Sequence, residues 1–175
     1  TSDSGTNDIL WNLTMKNGDT ISLSTRLTIE KQAAVTYFSE DTPMETTEEL
    51  NALLASIEEE VSSETPVYLH LPAVTYDGDI VFGNHVWGIY GSSDGDDVTT
   101  FTGTVSLRGL NGNYAEMSGI QFKGNSGIGV NAYCLTLLSK CSFNGWDTAA
   151  IANNEAWVNA MDCTFTNNKI ALKFN

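Results

Sequence analysis

A repeat near the C-terminal end constrains this chain more than any other feature. Three segments, MSGIQFKGN (117–125), LSKCSFNGW (138–146) and MDCTFTNN (161–168), superimpose on Phe122, Phe143 and Phe165 at spacings of 21 and 22 residues. Two positions before each Phe stand Ile120, Cys141 and Cys163, with polar residues between and beyond. A second short apolar stretch follows each segment: IGVNA (128–132), AAIAN (149–153) and IALKF (170–174). Alternation of this kind at a fixed period near twenty reads as one coil of a β-solenoid, repeated.

Burial is the physical reason. One coil of two or three short strands cannot hide its apolar side, whereas stacked coils share an interior. Equivalent residues then lie about 4.8 Å apart. Ile120, Cys141 and Cys163 should form one internal ladder and the three Phe another. Antiparallel hairpins are the competing arrangement, and Asn144-Gly145 is a hairpin-type turn pair. Matching ladders at one period outweigh that single dipeptide.

The first 45 residues do not follow the period. Ile9 to Met15 and Thr20 to Ile29 alternate around Asn17-Gly18-Asp19, a hairpin signal, and Ala33 to Phe38 reads as a third strand. This 1–45 lead-in is either a β extension or a cap over the first coil. From Thr46 to Val61, Leu50, Leu53, Leu54, Ile57 and Val61 fall on one face of a helical period, and Thr46-Thr-Glu-Glu49 fits a capping box. Such a helix can cover the apolar interior and free edges of a first coil. Leu69 and Ile89 extend the inner ladder ahead of Ile120, with 92–103 as an insertion and 104–110 as a further strand. The fold predicted is all-β: a short right-handed parallel β-helix of about five coils over 46–175, with an amphipathic capping helix and a β lead-in.

Charge narrows the partners. Lys and Arg number 8 against 22 Asp and Glu, a net charge of −14. Nucleic acid would be repelled. The acidity is local: residues 1–97 hold 18 acids and 3 bases, residues 98–175 hold 4 acids and 5 bases. The repeat region is therefore nearly neutral. No apolar run reaches the roughly 18 residues of a membrane span. The three cysteines are odd in number, and Cys141 and Cys163 read as buried free thiols, since parallel in-register strands aim two sulfurs poorly at each other.

Residues 46–175 resemble right-handed parallel β-helix proteins of the pectate-lyase-like superfamily. The resemblance rests on the helix TTEELNALLASI, then VYLHLPAVTYDGDIVF with Pro72-Ala-Val-Thr-Tyr76, then HVWGIYG and MSGIQFKGN. The repeat Cys163-Thr-Phe-Thr-Asn-Asn168 is also similar to those of bacterial surface β-helices and adhesin passenger domains; Trp146 stands where that repeat would have Asn. The resemblance implies an extracellular or cell-surface protein and an outer strand face as the place for chemistry.

On that face the aligned coils offer Gly119, Gln121 and Lys123, then Lys140, Ser142 and Asn144, then Asp162, Thr164 and Thr166. Glycoside hydrolysis needs two positioned carboxylates, and only Asp162 is there. Lys140 beside Asp162 reads as a cross-coil ion pair rather than a base with its orienter. No catalytic residue is assigned. Calcium is the one cofactor to weigh, at Asp94, Asp96 and Asp97 with Asp77 and Asp79 upstream, but the spacing lacks the alternate acids of a calcium loop and reads as an acidic turn. His70 and His85 read as surface residues.

Sugar rings stack on exposed aromatics. Trp146, Tyr114 and Tyr133 near turns, with Lys140 and Asp162, are the candidate ligand-binding residues, and for Trp146 packing over a neighbouring coil is the competing arrangement. The expected function is a non-catalytic module binding a polysaccharide, a cell-surface glycan or another surface partner. The alternative is a polysaccharide lyase or glycoside hydrolase of the pectate-lyase-like type, either truncated or with its site on 92–116, where Asp96, Asp97, Arg108 and Glu116 are available. An open last coil would also expose strand edges, so further coils or self-association are expected at that end.

Overall fold

The computed structural model describes residues 5–29, 33–94, 96–109 and 114–175. Gly95 in the acidic turn and Leu110 at the end of the expected 104–110 strand lie outside them. The chain forms two compact units, Thr1–Ala33 and Ala34–Asn175.

In the first unit, β1 (Gly5–Thr14) and β2 (Thr20–Ile29) pair antiparallel around the Asn17-Gly18-Asp19 turn. Gly18 takes a positive φ of 89°, and the Asn17 amide holds the Asp19 carboxylate at 2.7 Å. Trp11 faces Leu23 and Leu13 faces Ile21 across the ladder, so one side of the ribbon is apolar and the other carries Asn12 opposite Ser22.

The second unit is a parallel β-helix of about five coils. It begins with β3 (Val35–Phe38) and α1 (Thr47–Glu60). The first coil holds β4 (Val67–His70), β5 (Thr75–Tyr76) and β6 (Ile80–Phe82). The second holds β7 (Val86–Tyr90), a small hairpin of β8 (Ser93–Asp94) and β9 (Asp97–Val98), then β10 (Thr100–Phe101) and β11 (Val105–Leu107). The third is β12 (Tyr114–Ser118), β13 (Gln121–Lys123) and β14 (Ile128–Ala132). The fourth is β15 (Leu135–Ser139), β16 (Ser142–Asn144) and β17 (Thr148–Ala152), and the fifth is β18 (Trp157–Met161), β19 (Thr164–Thr166) and β20 (Ile170–Phe174). They build three parallel sheets, in the orders β18-β15-β12-β7-β4-β3, β19-β16-β13-β10-β5 and β20-β17-β14-β11-β6. Val35–Phe38, read from sequence as part of the lead-in, is thus the edge strand of the six-stranded sheet.

The predicted Phe ladder is present, and longer than the repeat suggested. Phe122 pairs with Phe143 and Phe143 with Phe165, ring centroids 4.5 and 5.1 Å apart. Phe101 and Tyr76 continue it at 5.8 and 5.1 Å. The 92–103 insertion hid these two members by breaking the period. Ile120, Cys141 and Cys163 also follow one another, with the amide of Ser142 donating to Ile120 and that of Thr164 to Cys141. Leu69 and Ile89 do not join them. Ile89 pairs with Met117, and that ladder runs on to Leu138 and Ala160. The cause is a bend: each segment read as one strand is two, turning a corner at Gly119, Lys140 and Asp162, all at positive φ.

Helix α1 begins with the expected capping box, Thr46 Oγ1 accepting from the Glu49 amide while the Glu49 carboxylate accepts from the Thr46 amide. Leu50, Leu53, Leu54 and Ile57 are buried in the same core as the first coil. Three contacts tie the helix and the residues leading into it to the first coil and to the turn that follows it. The Tyr76 hydroxyl donates to Met44 O, the Asp77 amide donates to Thr47 Oγ1 at 3.0 Å, and His85 Nε2 lies 3.3 Å from Ile57 O. His85 is therefore buried, not a surface residue. Its Nδ1 has no partner among the described residues. None of the described helices is long and apolar enough to cross a membrane. Cys134, Cys141 and Cys163 are free thiols.

Candidate functional site

The outward side of the six-stranded sheet gathers most of the unit's exposed aromatic surface. Strand pleating sends alternate residues outward, and parallel register then lines them up across coils. Tyr114, Leu135 and Trp157 pair in sequence on β12, β15 and β18, exposed by 38, 46 and 64%. Val158, the next residue on β18, is buried, so Trp157 points out by alternation. Beside this column run Glu116, Leu137 and Asn159, and then Ser118, Ser139 and Met161.

Toward α1 the same face carries rings. Phe38 stacks on His70 at 4.5 Å, and His70 meets Tyr90 at 5.0 Å. His70 is outward, as its neighbours Leu69 and Leu71 required, but its ring is sandwiched. Tyr68 and Tyr90 also converge over Gly88, where an added Cβ would come within 2.8 Å of both rings. The Tyr90 hydroxyl donates to Glu116 Oε2 at 3.4 Å. Burial and then the Glu116 carboxylate push the Tyr90 phenol up to about 12. The same two causes, in the same order, raise Tyr114, with Tyr68 adding to them.

The residues singled out from sequence do not form one site. Tyr114 lies on this face. Tyr133 is exposed at the corner before β15, its hydroxyl 3.4 Å from Asn131 Nδ2. Trp146 packs over a neighbouring coil rather than standing out as a platform, and is only 3% exposed. Its indole lies over Gly124, where a Cβ would fall 2.4 Å from the ring, and Nε1 donates to Phe122 O at 3.2 Å. A ring enclosed in this way has no free face for a sugar. Lys140 and Asp162 share the left-handed corner, each at φ 53°, but make no ion pair with each other. Among the described residues a cross-coil ion pair does form between Lys169 and Asp147, at 2.5 Å. There Lys169, together with the Gly127 amide, holds the Asp147 carboxyl below its ordinary range.

Asp94 and Asp97 face each other across the β8–β9 hairpin, and Asp96 is exposed beside them. Asp77 accepts from Thr102 Oγ1 and Asp79 from the Thr104 amide, both at 2.7 Å. Among the described residues no three His, Cys, Asp or Glu are grouped to hold a metal. Of Arg108 and Glu116, taken together from sequence, the first follows β11 and the second lies on β12, a strand of another sheet. Arg108 instead lines a cleft of about 570 Å³ beside α1, with Glu58, Asp79, Val81 and Asn51.

Sequence reasoning missed Trp157 and Leu135 as surface residues. The signal is present, since WVNAM aligns on LTLLS and YAEMS, but the alignment alone does not tell which alternate set faces outward. No family model, curated protein or solved structure matches the chain.

Proposed function

We propose that this chain is a non-catalytic module that binds carbohydrate through the outward face of its six-stranded sheet, at a cell surface or outside the cell. The single observation carrying this reading is the in-register column of Tyr114, Leu135 and Trp157. Large apolar side chains held outward on rigid strands, with Glu116, Ser118, Ser139 and Asn159 beside them, combine stacking area with hydrogen-bonding groups at little entropic cost. The likeness of the repeat to bacterial surface β-helices supports the location. The test is a glycan array read for both binding and turnover. Binding without turnover, lost when Tyr114→Ala and Trp157→Ala are combined, is the expected result. Unchanged binding by the double variant would sink the assignment.

One observation favours the enzyme reading. The Arg108 cleft brings two carboxylates, Glu58 and Asp79, near a guanidinium that has no ion-pair partner among the described residues. Hydrolysis of glycosides needs a carboxylate pair. Turnover of a polysaccharide that disappears in Arg108→Ala would move the function to that cleft.

A further inference from the structure

We infer that the ligand is an uncharged glycan lying along the solenoid axis, one sugar residue per coil; this deepens the carbohydrate reading above and rests on it. The argument begins with the register. Tyr114, Leu135 and Trp157 sit on three successive strands, so their side chains are set about one strand spacing apart, ~4.8 Å. A pyranose ring linked through opposite positions advances by about that same step. A chain laid along the axis therefore meets one apolar side chain per sugar, and its hydroxyl edge meets Glu116, Leu137 and Asn159 in the neighbouring column. A chain laid across the coils meets a single residue of the column and then the corner.

Charge selects among glycans. The outward positions of β12, β15 and β18 bear one ionisable side chain of ordinary charge, Glu116, and no Lys or Arg. A uronate polymer would bring one carboxylate per sugar against Glu116, with no cation in these columns to receive it. A neutral chain meets no such repulsion, and its hydroxyls can donate to the Glu116 carboxylate. The middle position, Leu135, offers aliphatic area where its two column neighbours offer rings, so it is the weakest of the three contacts.

The experiment titrates the full chain with neutral β-linked oligosaccharides of increasing length and with oligogalacturonates of matching lengths. Affinity for the neutral series should rise until the three positions of the column are filled, then level, and should change little with salt. Trp157→Ala should weaken binding of the trimer about tenfold, as expected for one lost stacking contact. Leu135→Tyr should tighten it while leaving a monosaccharide unchanged. Tighter binding of the oligogalacturonates, or affinity independent of length, would overturn this inference while leaving carbohydrate binding intact. Failure of every glycan to bind would overturn both.

Discussion

Trp146 and Asn168 occupy the same corner on successive coils and make the same hydrogen bond. Trp146 Nε1 donates to Phe122 O at 3.2 Å, and Asn168 Nδ2 donates to Phe143 O at 3.0 Å. Asn168 Oδ1 also accepts from the Trp146 amide at 2.9 Å, joining the two corners. The departure from the Asn pattern is therefore a substitution that keeps the donor and adds a ring to the core. Trp146→Ala should lower unfolding free energy by about 3–5 kcal/mol through the cavity it leaves. Trp146→Phe should cost less, about 1–3 kcal/mol, from the smaller ring and the lost indole hydrogen bond. Denaturant midpoints at constant slope measure both.

Gly124 is small because Trp146 lies on it. A Cβ there would stand 2.4 Å from the indole, so Gly124→Ala should destabilise by about 1–3 kcal/mol through overpacking. In a Trp146→Ala background the same change should cost far less. Additive effects in this double-mutant cycle would refute the contact.

The corner column of Gly119, Lys140 and Asp162, at φ 69°, 53° and 53°, asks for a left-handed residue on each of the last three coils. Only the first is glycine. Lys140→Gly should leave stability unchanged or raise it by up to about 1 kcal/mol, because relief of the Cβ clash offsets glycine's extra chain entropy. Lys140→Val should instead lose about 1–2 kcal/mol. Thermal melts of the two variants on either side of the parent protein would bear this out; the reverse order would contradict it.

Alkaline pH should loosen the fold through Tyr90. Its folded-state phenol is raised to about 12 from an ordinary value of 10.0. Between those values the unfolded chain has released a proton that the folded chain still holds, so stability falls as pH rises through that window. Tyr76, raised by burial and then by Glu49 and Glu45, acts in the same direction. Tyr90→Phe should make the decline from pH 10 to 12 shallower, as read from denaturant titrations across that range.

Much of the helix and the later coils was legible because their signals are local and periodic. Leu50 to Ile57 repeat at a helical interval within one segment, and Phe122, Phe143 and Phe165 recur with almost no change of spacing. What stayed hidden depended on long-range geometry. The bends at Gly119, Lys140 and Asp162 look, in sequence, like the polar half of an alternating strand, because a left-handed corner residue is as polar as an outward one. That error shifted Leu69 and Ile89 onto the wrong ladder by three positions. His85 stands next to Asn84 in what reads as an ordinary turn, and its burial comes from Ile57, which no local pattern reveals. For the candidate site, Tyr114 was found by its proximity to a turn, while Trp157 required knowing which way β18 pleats.

The stack of five rings from Tyr76 to Phe165 has a consequence for how such a chain can change length. Within the row each ring stacks on its neighbours one coil away. Splicing in a duplicate of residues 121–141 would offer the row one more ring at the same pitch and close it again on both sides. The architecture is therefore extensible by whole coils, and a shorter or longer relative could keep the seat of α1 unaltered while changing the reach of the outer face.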